Sequence, residues 1–275
     1  MSTEPRAGGS RGGGGAVGAG TTRDASGGST RGASGGRAGD GEAPSDDTRA
    51  CESRTSYRHG DLRGALIAAG LTMARAGGPD AVVLRGATRQ AGVSPNAAYR
   101  HFADRSALLR AVSDAAQGLA ADRMEVEVAR VTPPAADGAE MADVTEVPAV
   151  APNDRAAAAR LLLRAVGTGY LAFAREQPGL FRTAFSVPDH LAHSLSPAKA
   201  GVAGRTPFAI LSSAIEAYSA AGILPPERRP NAELFAWSAV HGLGMLVIDG
   251  PLRGLDGALV DAATTRVLDM VERGL

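Results

Sequence analysis

The sequence predicts an all-α protein with two helical domains. Apolar residues recur at intervals of four, three and four from Leu62 through Leu66 and Ala69 to Met73, which is the period of one face of a helix. Similar patterns continue towards the C-terminus, separated by Gly, Pro and capping residues that mark helix ends. Residues 128–154 are rich in Pro, Ala and acidic side chains and indicate a linker between the two domains.

The bulk composition excludes several classes of protein. The 275 residues are 44% hydrophobic, enough for one large or two modest domains. Basic and acidic side chains balance at 29 each, so binding to nucleic acid must depend on a local patch. The single cysteine, Cys51, excludes an intramolecular disulfide framework. Because we find neither a signal-peptide core nor the roughly 18 consecutive apolar residues of a membrane helix, we expect a cytoplasmic protein with no membrane partner.

Residues 1–54 are predicted to form a disordered tail. They are mostly Gly, Ser, Thr, Arg and Asp, with almost no large apolar side chain to offset the entropy cost of ordering. The stretch from Gly13 to Gly18 satisfies the G-x-G-x-x-G pattern of nucleotide-binding loops, but no strand precedes it and no amphipathic helix follows. We therefore expect no nucleotide site in the tail.

The first domain, residues 55–127, begins with two predicted helices. Asp61 stands at the start of the first helix, where a negative charge complements the helix dipole, and the Gly-Gly-Pro sequence at 77–79 ends it. The second helix covers residues 84–91. Gly92 follows it and permits a sharp turn.

Two more helices complete this domain. Ser94 and Pro95 are preferred at the cap and the first position of a helix, so a third helix should start there and end near Phe102. Asp104 is the predicted cap of a longer fourth helix that runs to about Glu127. After the linker, the second domain, residues 155–275, contains five predicted helices at 155–176, 179–185, 207–221, 232–248 and 255–273.

The functional prediction depends on one stretch of the first domain. Residues 89–109 read R-Q-A-G-V-S-P-N-A-A-Y-R-H-F-A-D-R-S-A-L-L. This order and spacing closely resemble the DNA-binding helix-turn-helix signature of the TetR (tetracycline-repressor-like) family. A short capped helix can place its N-terminal residues against base edges in the major groove. Residues 57–123 contain nine Arg and five Asp, a positive surplus that suits binding to DNA.

The resemblance implies a role for individual residues of this stretch. Asn96, Ala97 and Arg100 match positions that read bases, while Val93 and Phe102 match buried positions that brace the two helices. Tyr99, His101 and Arg105 match phosphate contacts, and Arg85 and Arg89 would face the DNA backbone or the groove edge. The expected DNA-binding residues are Arg85, Arg89, Ser94, Asn96, Ala97, Tyr99, Arg100, His101 and Arg105.

Other interpretations of these side chains remain open. Taken singly, Arg85, Arg89 and Arg105 are typical of solvated surface charges. His101 also suits a capping or packing role near a helix end, and Tyr99 suits the edge of the core.

The second helix departs from the family pattern at three positions. Val83 stands where Ser or Thr usually caps the helix, a loss of roughly 1 kcal/mol. Ala87 replaces a common Ile or Val, and Thr88 replaces a common Ala. We therefore expect this helix to pack less tightly than in its relatives.

The second domain carries a softer resemblance. The sequence W-S-A-V-H-G-L at 237–243, followed by Leu246 and Gly250, resembles the WHG class of TetR C-terminal domains, as does the segment 170–185. The resemblance implies a helical domain that senses a ligand and forms a homodimer. We expect the dimer interface on 207–221 and 232–248 and an operator that is a near-palindrome.

A sensing pocket would lie among the helices after the linker. Its expected lining is Leu171, Phe173, Phe181, Phe185, Trp237, Val240 and His241, although aromatic residues at helical spacing are also typical of a plain core. His241 also suits an internal hydrogen bond. His190 and His193 could share a helix face, but no third ligand is evident, so we expect no metal and no other cofactor.

The overall prediction is a DNA-binding repressor that a small apolar or amphipathic effector releases from its operator. An orphan regulator or an activator without a ligand is the alternative, and the sequence does not separate the two. A helix-turn-helix protein of another kind, such as a recombinase, fits the second domain poorly. An enzyme is not expected, because the chain has no G-x-S-x-G elbow, P-loop, H-E-x-x-H motif or paired cysteines.

Overall fold

The computed structural model describes residues 61–132 and 152–275, and all regular structure in these two ranges is helical, as predicted. The predicted tail and most of the predicted linker lie outside the described residues. The α-helices are α1 (Leu62–Ala81), α2 (Leu84–Ala91), α3 (Pro95–Tyr99), α4 (Arg105–Val131), α5 (Pro152–Glu176), α6 (Pro178–Ala184), α7 (Pro207–Ala220), α8 (Ala232–Ile248) and α9 (Gly257–Gly274).

The two ends of α1 follow from its sequence. The Asp61 carboxylate accepts a hydrogen bond from the backbone N–H of Gly64 at 2.8 Å and so caps the helix. Near the other end, Gly78 adopts φ +70°, a left-handed conformation that interrupts the helical backbone. One more helical turn follows Pro79. The Gly-Gly-Pro sequence therefore breaks α1 where predicted, although helical residues resume as far as Ala81.

Helix α3 is shorter than expected and α4 is longer. The N–H groups of His101 and Phe102 both bond to the carbonyl of Ala98, so the chain turns tightly instead of continuing the helix to Phe102. At the far end of α4, Glu127 pairs with Arg123 at 2.7 Å and with Arg130 at 2.6 Å. These pairs join successive turns, which explains why α4 extends past Glu127 into the first residues of the predicted linker.

Helix α6, from the second described range, packs against helices of the first. It packs against both α1 and α4, while α4 packs along α5. The contact with α1 is close at Gly179, where a Cβ atom would overlap the carbonyl oxygen of Ala74 and lie 2.8 Å from that of Arg75. A single apolar core runs from Leu66 on α1 through Val112 on α4 to Phe181 on α6.

The five C-terminal helices all occur where the sequence predicts them. The main difference is at α9, which begins at Gly257 because the Asp256 carboxylate accepts from the N–H of Leu259 at 2.8 Å and caps it there. No helix in the described ranges is both long enough and apolar enough to cross a bilayer.

Candidate nucleic-acid interface and internal cavity

The turn between α2 and α3 is built on Gly92. This residue has φ +69°, and the next N–H, that of Val93, bonds back to the carbonyl of Thr88 at 3.0 Å. The Thr88 side chain is buried, and its hydroxyl donates to the carbonyl of Arg85 at 2.9 Å. Its polar group is therefore satisfied within α2. As predicted, Val83 provides no side-chain cap for this helix.

Helix α3 presents a polar face to solvent. Its cap forms as expected, because the Ser94 hydroxyl accepts from the N–H of Ala97 at 3.4 Å. Ala98 and Phe102 are buried in the core, and α3 packs against α2 and α1, which anchors the helix on one side. The opposite side is free to meet a partner.

The residues expected at a DNA interface are nearly all at the surface. Tyr99 is 54% exposed, a large fraction for an aromatic side chain. Ala97 is half-buried. The exposed residues of the set are Arg85, Arg89, Ser94, Asn96, Tyr99, Arg100, His101 and Arg105.

Arg105 differs from the other expected contacts, because its guanidinium is bound within the protein. Its Nε donates to the carbonyl of Val82 at 2.8 Å, and its Nη2 donates to the carbonyl of Pro79 at 2.7 Å. The Asp80 carboxylate lies 3.8 Å from the same Nη2. All three partners belong to the end of α1 or to its connection with α2.

One basic residue near this surface was not expected from the sequence. The guanidinium carbon of Arg63, on α1, lies 5.5 Å from the centre of the Phe102 ring, within cation–π distance. Arg63 is 39 positions away from Phe102 in the chain, so no local pattern indicates this contact.

Residues of α4, α5 and the segments that follow line a cavity of about 50 Å³. Of the residues expected at a sensing pocket, Phe185, Trp237 and Val240 line it. Leu171, Phe173, Phe181 and His241 do not: the first three belong to the buried core, and His241 is partly buried beside it. Lining residues that the sequence did not indicate are Gln117, Met124, Leu163, Arg164, Val166, Gly167, Tyr170, Ser194, Pro207, Phe208, Leu211, Ala236, Leu268, Val271 and Glu272.

Two residues of the cavity wall, Tyr170 and Trp237, form a hydrogen-bonded trio with His241. Trp237 Nε1–H donates to the Tyr170 hydroxyl at 3.0 Å, and the Tyr170 hydroxyl lies 2.8 Å from Nδ1 of His241. Burial raises the pKa of Tyr170 and lowers the pKa of His241, so both groups are held neutral. In the tautomer that carries its proton on Nε2, the His241 ring accepts a hydrogen bond from the Tyr170 hydroxyl at Nδ1. His241 thus makes the internal hydrogen bond that was one of its expected roles.

A charged pair, Arg164 and Glu272, also lines the cavity. Arg164 Nε lies 2.8 Å from Glu272 Oε1, and the same guanidinium pairs with Asp269. The hydrogen bond from Arg164 lowers the pKa of the Asp269 carboxyl. Since α5 and α9 are about a hundred residues apart in the chain, only the folded structure reveals this network.

Two family models match the chain. Residues 66–112 match the model described as "Bacterial regulatory proteins, tetR family". Residues 163–271 match "Tetracyclin repressor-like, C-terminal domain". The chain belongs to the TetR family. It is therefore a DNA-binding transcription regulator and not an enzyme.

Two solved structures are among those similar to this TetR-family regulator. A protein with unknown function from Rhodococcus sp. RHA1 is 26% identical, with a TM-score of 0.53 over 81% of this chain and 99% of that one. A TetR variant from Acinetobacter baumannii AYE, solved in complex with minocycline, is 19% identical, with a TM-score of 0.46 over 77% of this chain and 94% of that one. No curated protein matches the sequence.

The cavity of this TetR-family regulator is connected to α4 through the end of α6. The carbonyl of Ala184 accepts from the Ser113 hydroxyl and from Gln117 Nε2, both on α4 and both at 2.9 Å. The next residue, Phe185, lines the cavity, and so does Gln117. A movement of Phe185 in the cavity wall would therefore act directly on the neighbouring Ala184 carbonyl and on its two hydrogen bonds to α4.

The segment between α6 and α7 also lies along α4. The backbone N–H of Val202 donates to the Asp122 carboxylate at 2.6 Å, and Arg205 pairs with Glu125 at 3.2 Å. Lys199, the single lysine of the chain, is buried and pairs with Asp189. We call residues 197–205 the α4 strap.

His190 and His193, in the segment between α6 and α7, both contact Asp189. His193 Nδ1 lies 2.8 Å from the Asp189 carboxylate, and the His190 ring stands 6.0 Å from the His193 ring. Hydrogen bonds from Lys199, His193 and the His190 backbone lower the pKa of Asp189. Within 61–132 and 152–275, no group of three His, Cys, Asp or Glu residues is placed to hold a metal ion.

Proposed function

We propose that this regulator is a repressor that binds a near-palindromic operator as a homodimer and leaves it when a small molecule binds in the C-terminal domain. The observation that carries the proposal is the exposed polar face of α3, held in place by the Gly92 turn, the Ser94 cap and the Phe102 anchor. A capped helix anchored on one side and polar on the other suits insertion into the major groove.

Residues in and around α3 have proposed parts in DNA binding. Asn96, Ala97 and Arg100 would read base edges, because they belong to the first turns of α3 or directly follow it. Tyr99 and His101 would contact phosphates. The Ser94 hydroxyl already caps α3, so it would contribute to binding through that cap, while Arg85 and Arg89 extend the basic surface along α2.

The homodimer is supported by apolar side chains that α8 and α9 leave exposed. On α8 these are Phe235 and Leu246, each 44% exposed, and on α9 they are Leu259 and Met270, at 53% and 52%. Their spacing of 11 residues on both helices places each pair on one face. Exposed apolar side chains of this kind are typical of a face that a two-fold interface covers, and Arg266 lies on the same face of α9.

Helix α7 fits the interface less well than the sequence led us to expect. Its exposed residues are Ser213, Glu216 and Ala220, and its larger apolar side chains are wholly or partly buried. We therefore propose α8 and α9, in place of α7 and α8, as the helices that pair across the two-fold axis.

The cavity supports an apolar or amphipathic effector. Its aromatic walls would take an apolar body, and the Tyr170 hydroxyl or the Arg164 and Glu272 pair would orient a polar group. A ligand that prefers an enlarged cavity would push Phe185 outwards and thereby disturb the bonds from α4 to Ala184. The ligand would weaken DNA binding by the difference between its binding free energies for the released and the DNA-bound conformations.

The size of the cavity favours a second candidate function. At about 50 Å³ it holds a few waters, whereas pockets for small ligands measure roughly 300–1,000 Å³. A regulator that uses no small molecule has no need of a larger space. Thermal-shift measurements against a panel of metabolites distinguish the two, since a ligand at about a hundred times its Kd stabilises by about 2.7 kcal/mol.

Selection of bound fragments from a random DNA library tests the proposal directly. We expect an enriched site of two inverted half-sites, with centres about one helical turn of DNA, roughly 10 base pairs, or a multiple of it apart. A directly repeated or single half-site would contradict the two-fold arrangement. A failure to enrich any sequence would contradict specific DNA binding itself.

A further inference from the structure

Arg105 connects both ends of the helix-turn-helix, one through its backbone and the other through its side chain. Its backbone stands at the first position of α4, directly after the segment that follows α3. Its guanidinium reaches the carbonyls of Val82 and Pro79, just before α2 begins. One residue therefore joins the entry to α2 with the exit from α3.

The two carbonyls lie where α1 ends, and the guanidinium adds a donor to each of them; the Pro79 carbonyl also accepts from the Val82 N–H at 3.2 Å. Helix α1 is interrupted at Gly78, and the chain then leaves it through an extended residue, Val82, with φ −75° and ψ 101°. Carbonyl groups at a helix end have no partner further along the helix. The planar fork of a guanidinium supplies two parallel N–H groups at fixed spacing, which a lysine ammonium does not match.

The surroundings of Arg105 reduce its value as a phosphate contact. Two of its N–H groups donate to backbone carbonyls at 2.7 and 2.8 Å, and the exposed Asp80 carboxylate lies 3.8 Å from Nη2. Its side chain is 44% exposed. In a residue that served only to attract phosphate, we would expect these N–H donors to be free of hydrogen bonds to the protein backbone.

We propose that Arg105 is a positioning residue that clamps the two ends of the helix-turn-helix, and that it fixes the orientation of α3 instead of contacting the DNA backbone. The proposal rests on the proposed role of α3 as the DNA-reading helix. It changes the expectation for Arg105 alone, because the other basic residues of the set keep their proposed contacts.

Two variants separate positioning from phosphate contact. Arg105→Lys keeps the positive charge but loses the planar pair of N–H donors, whereas Arg105→Gln loses both the charge and the pair of donors. A clamp predicts that both variants lower the Tm of the DNA-free protein. It also predicts that both weaken operator binding by about tenfold, roughly 1.4 kcal/mol. The slope of log affinity against log salt should remain that of the wild type.

A phosphate contact gives the opposite results. Arg105→Lys would then bind DNA like the wild type, and Arg105→Gln would reduce the salt slope by about 0.9. Either result, or an unchanged Tm in both variants, overturns the proposal. Arg89→Gln is the matched control, for which we expect an unchanged Tm and a slope lower by about 0.9.

The same measurements keep this proposal separate from the proposed function. If the wild-type protein selects no operator, the function fails, but the Tm of the two Arg105 variants without DNA still reports whether the clamp exists. If the operator binds and Arg105→Lys retains the wild-type Tm and affinity, only the clamp fails. Circular dichroism of each variant checks that its helices are formed.

Discussion

Burial decides the protonation state of His241. The ring is partly buried beside the cavity wall and its pKa is lowered for that reason, so the neutral ring can accept a hydrogen bond from Tyr170. A base whose pKa is lower in the folded than in the unfolded state stabilises the fold at pH values above its ordinary pKa of 6.5. That stability is lost as the pH falls through the folded value.

We expect this linkage to appear in thermal unfolding. Between about pH 7.5 and about pH 5.5, on either side of the ordinary histidine pKa, the wild-type Tm should fall because the unfolded state takes up the proton more readily. His241→Gln keeps a hydrogen-bond acceptor for Tyr170 but does not titrate, so its Tm should fall less. Equal decreases in both proteins would show that His241 carries none of the pH dependence.

Single residues of α3 should matter for DNA binding and not for folding. Arg100→Ala should weaken operator binding by about 1–3 kcal/mol, the range for a lost base contact, and Tyr99→Phe should weaken it less. Both side chains are exposed, so the Tm should hardly change. Mobility-shift titrations check the affinities, with Arg253→Ala, an exposed arginine far along the chain, as the control. Unchanged affinity for both α3 variants would remove these residues from the interface.

The sequence predicts the exposed residues of α3 better than the lining of the cavity. The caps and spacing of residues 89–109 define which side of a short helix is buried, so Phe102 and Tyr99 lie on the expected sides. In the second domain, helical periodicity identifies buried positions but does not tell whether a buried ring faces a cavity or a neighbouring helix. Phe181 and Phe185 illustrate this: both stack within the aromatic cluster, and only Phe185 lines the cavity.

Among the helices, α6 is short but packs closely against its neighbours. Its Gly179 lies against the backbone carbonyls of Ala74 and Arg75, and Gln177 just before it accepts a hydrogen bond from Arg75 Nε at 2.9 Å. The other end of α6 receives the two hydrogen bonds from α4. Its position is therefore set from both sides.

Gly179→Ala tests this close packing. The added methyl group would meet backbone oxygens that cannot rotate away, so α6 must separate from α1, and we expect a loss of about 1–3 kcal/mol in the free energy of unfolding. Gly257→Ala at the start of α9 is the control, because a Cβ there has no neighbour within 4 Å. Denaturant titrations measure both variants. Equal stability of the two would mean that the α1–α6 contact is not tightly packed.

Helix boundaries were predictable where a local cap sets them and less so where a distant contact does. Asp61, Ser94 and Asp104 each cap the helix that the sequence assigns to them. The length of α4 depends on ion pairs at Glu127, and the α4 strap depends on partners some eighty positions away, such as Asp122 with Val202. No pattern within one segment contains that information.

At the scale of the whole molecule, the linker in the sequence does not separate two independent cores. The described residues of both predicted domains contribute to one apolar core, with α6 between α1 and α4. The chain is neutral as a whole, and the surplus of basic residues is confined to the N-terminal helices. A dimer would bring two such surfaces to one DNA molecule, so we expect affinity to decrease steeply with salt.

Dimer formation itself can be tested on the exposed face of α8 and α9. Leu246→Asp places a charge in the centre of the proposed interface, and a buried unpaired charge is costly, so we expect a monomer that retains its helical content. The matched control is Leu161→Asp on α5, where a leucine of similar exposure, 52% against 44%, lies outside that face. Sedimentation analysis should give a dimer for the wild type and the control.

The same pair of variants links assembly to function. A monomer can occupy only one half-site at a time, so Leu246→Asp should lose operator affinity although α3 is unchanged, while Leu161→Asp should bind like the wild type. A Leu246→Asp protein that stays dimeric would place the interface elsewhere on the molecule. A monomeric variant with full operator affinity would instead show that one copy of α3 is sufficient for recognition, which removes the reason to expect a palindromic site.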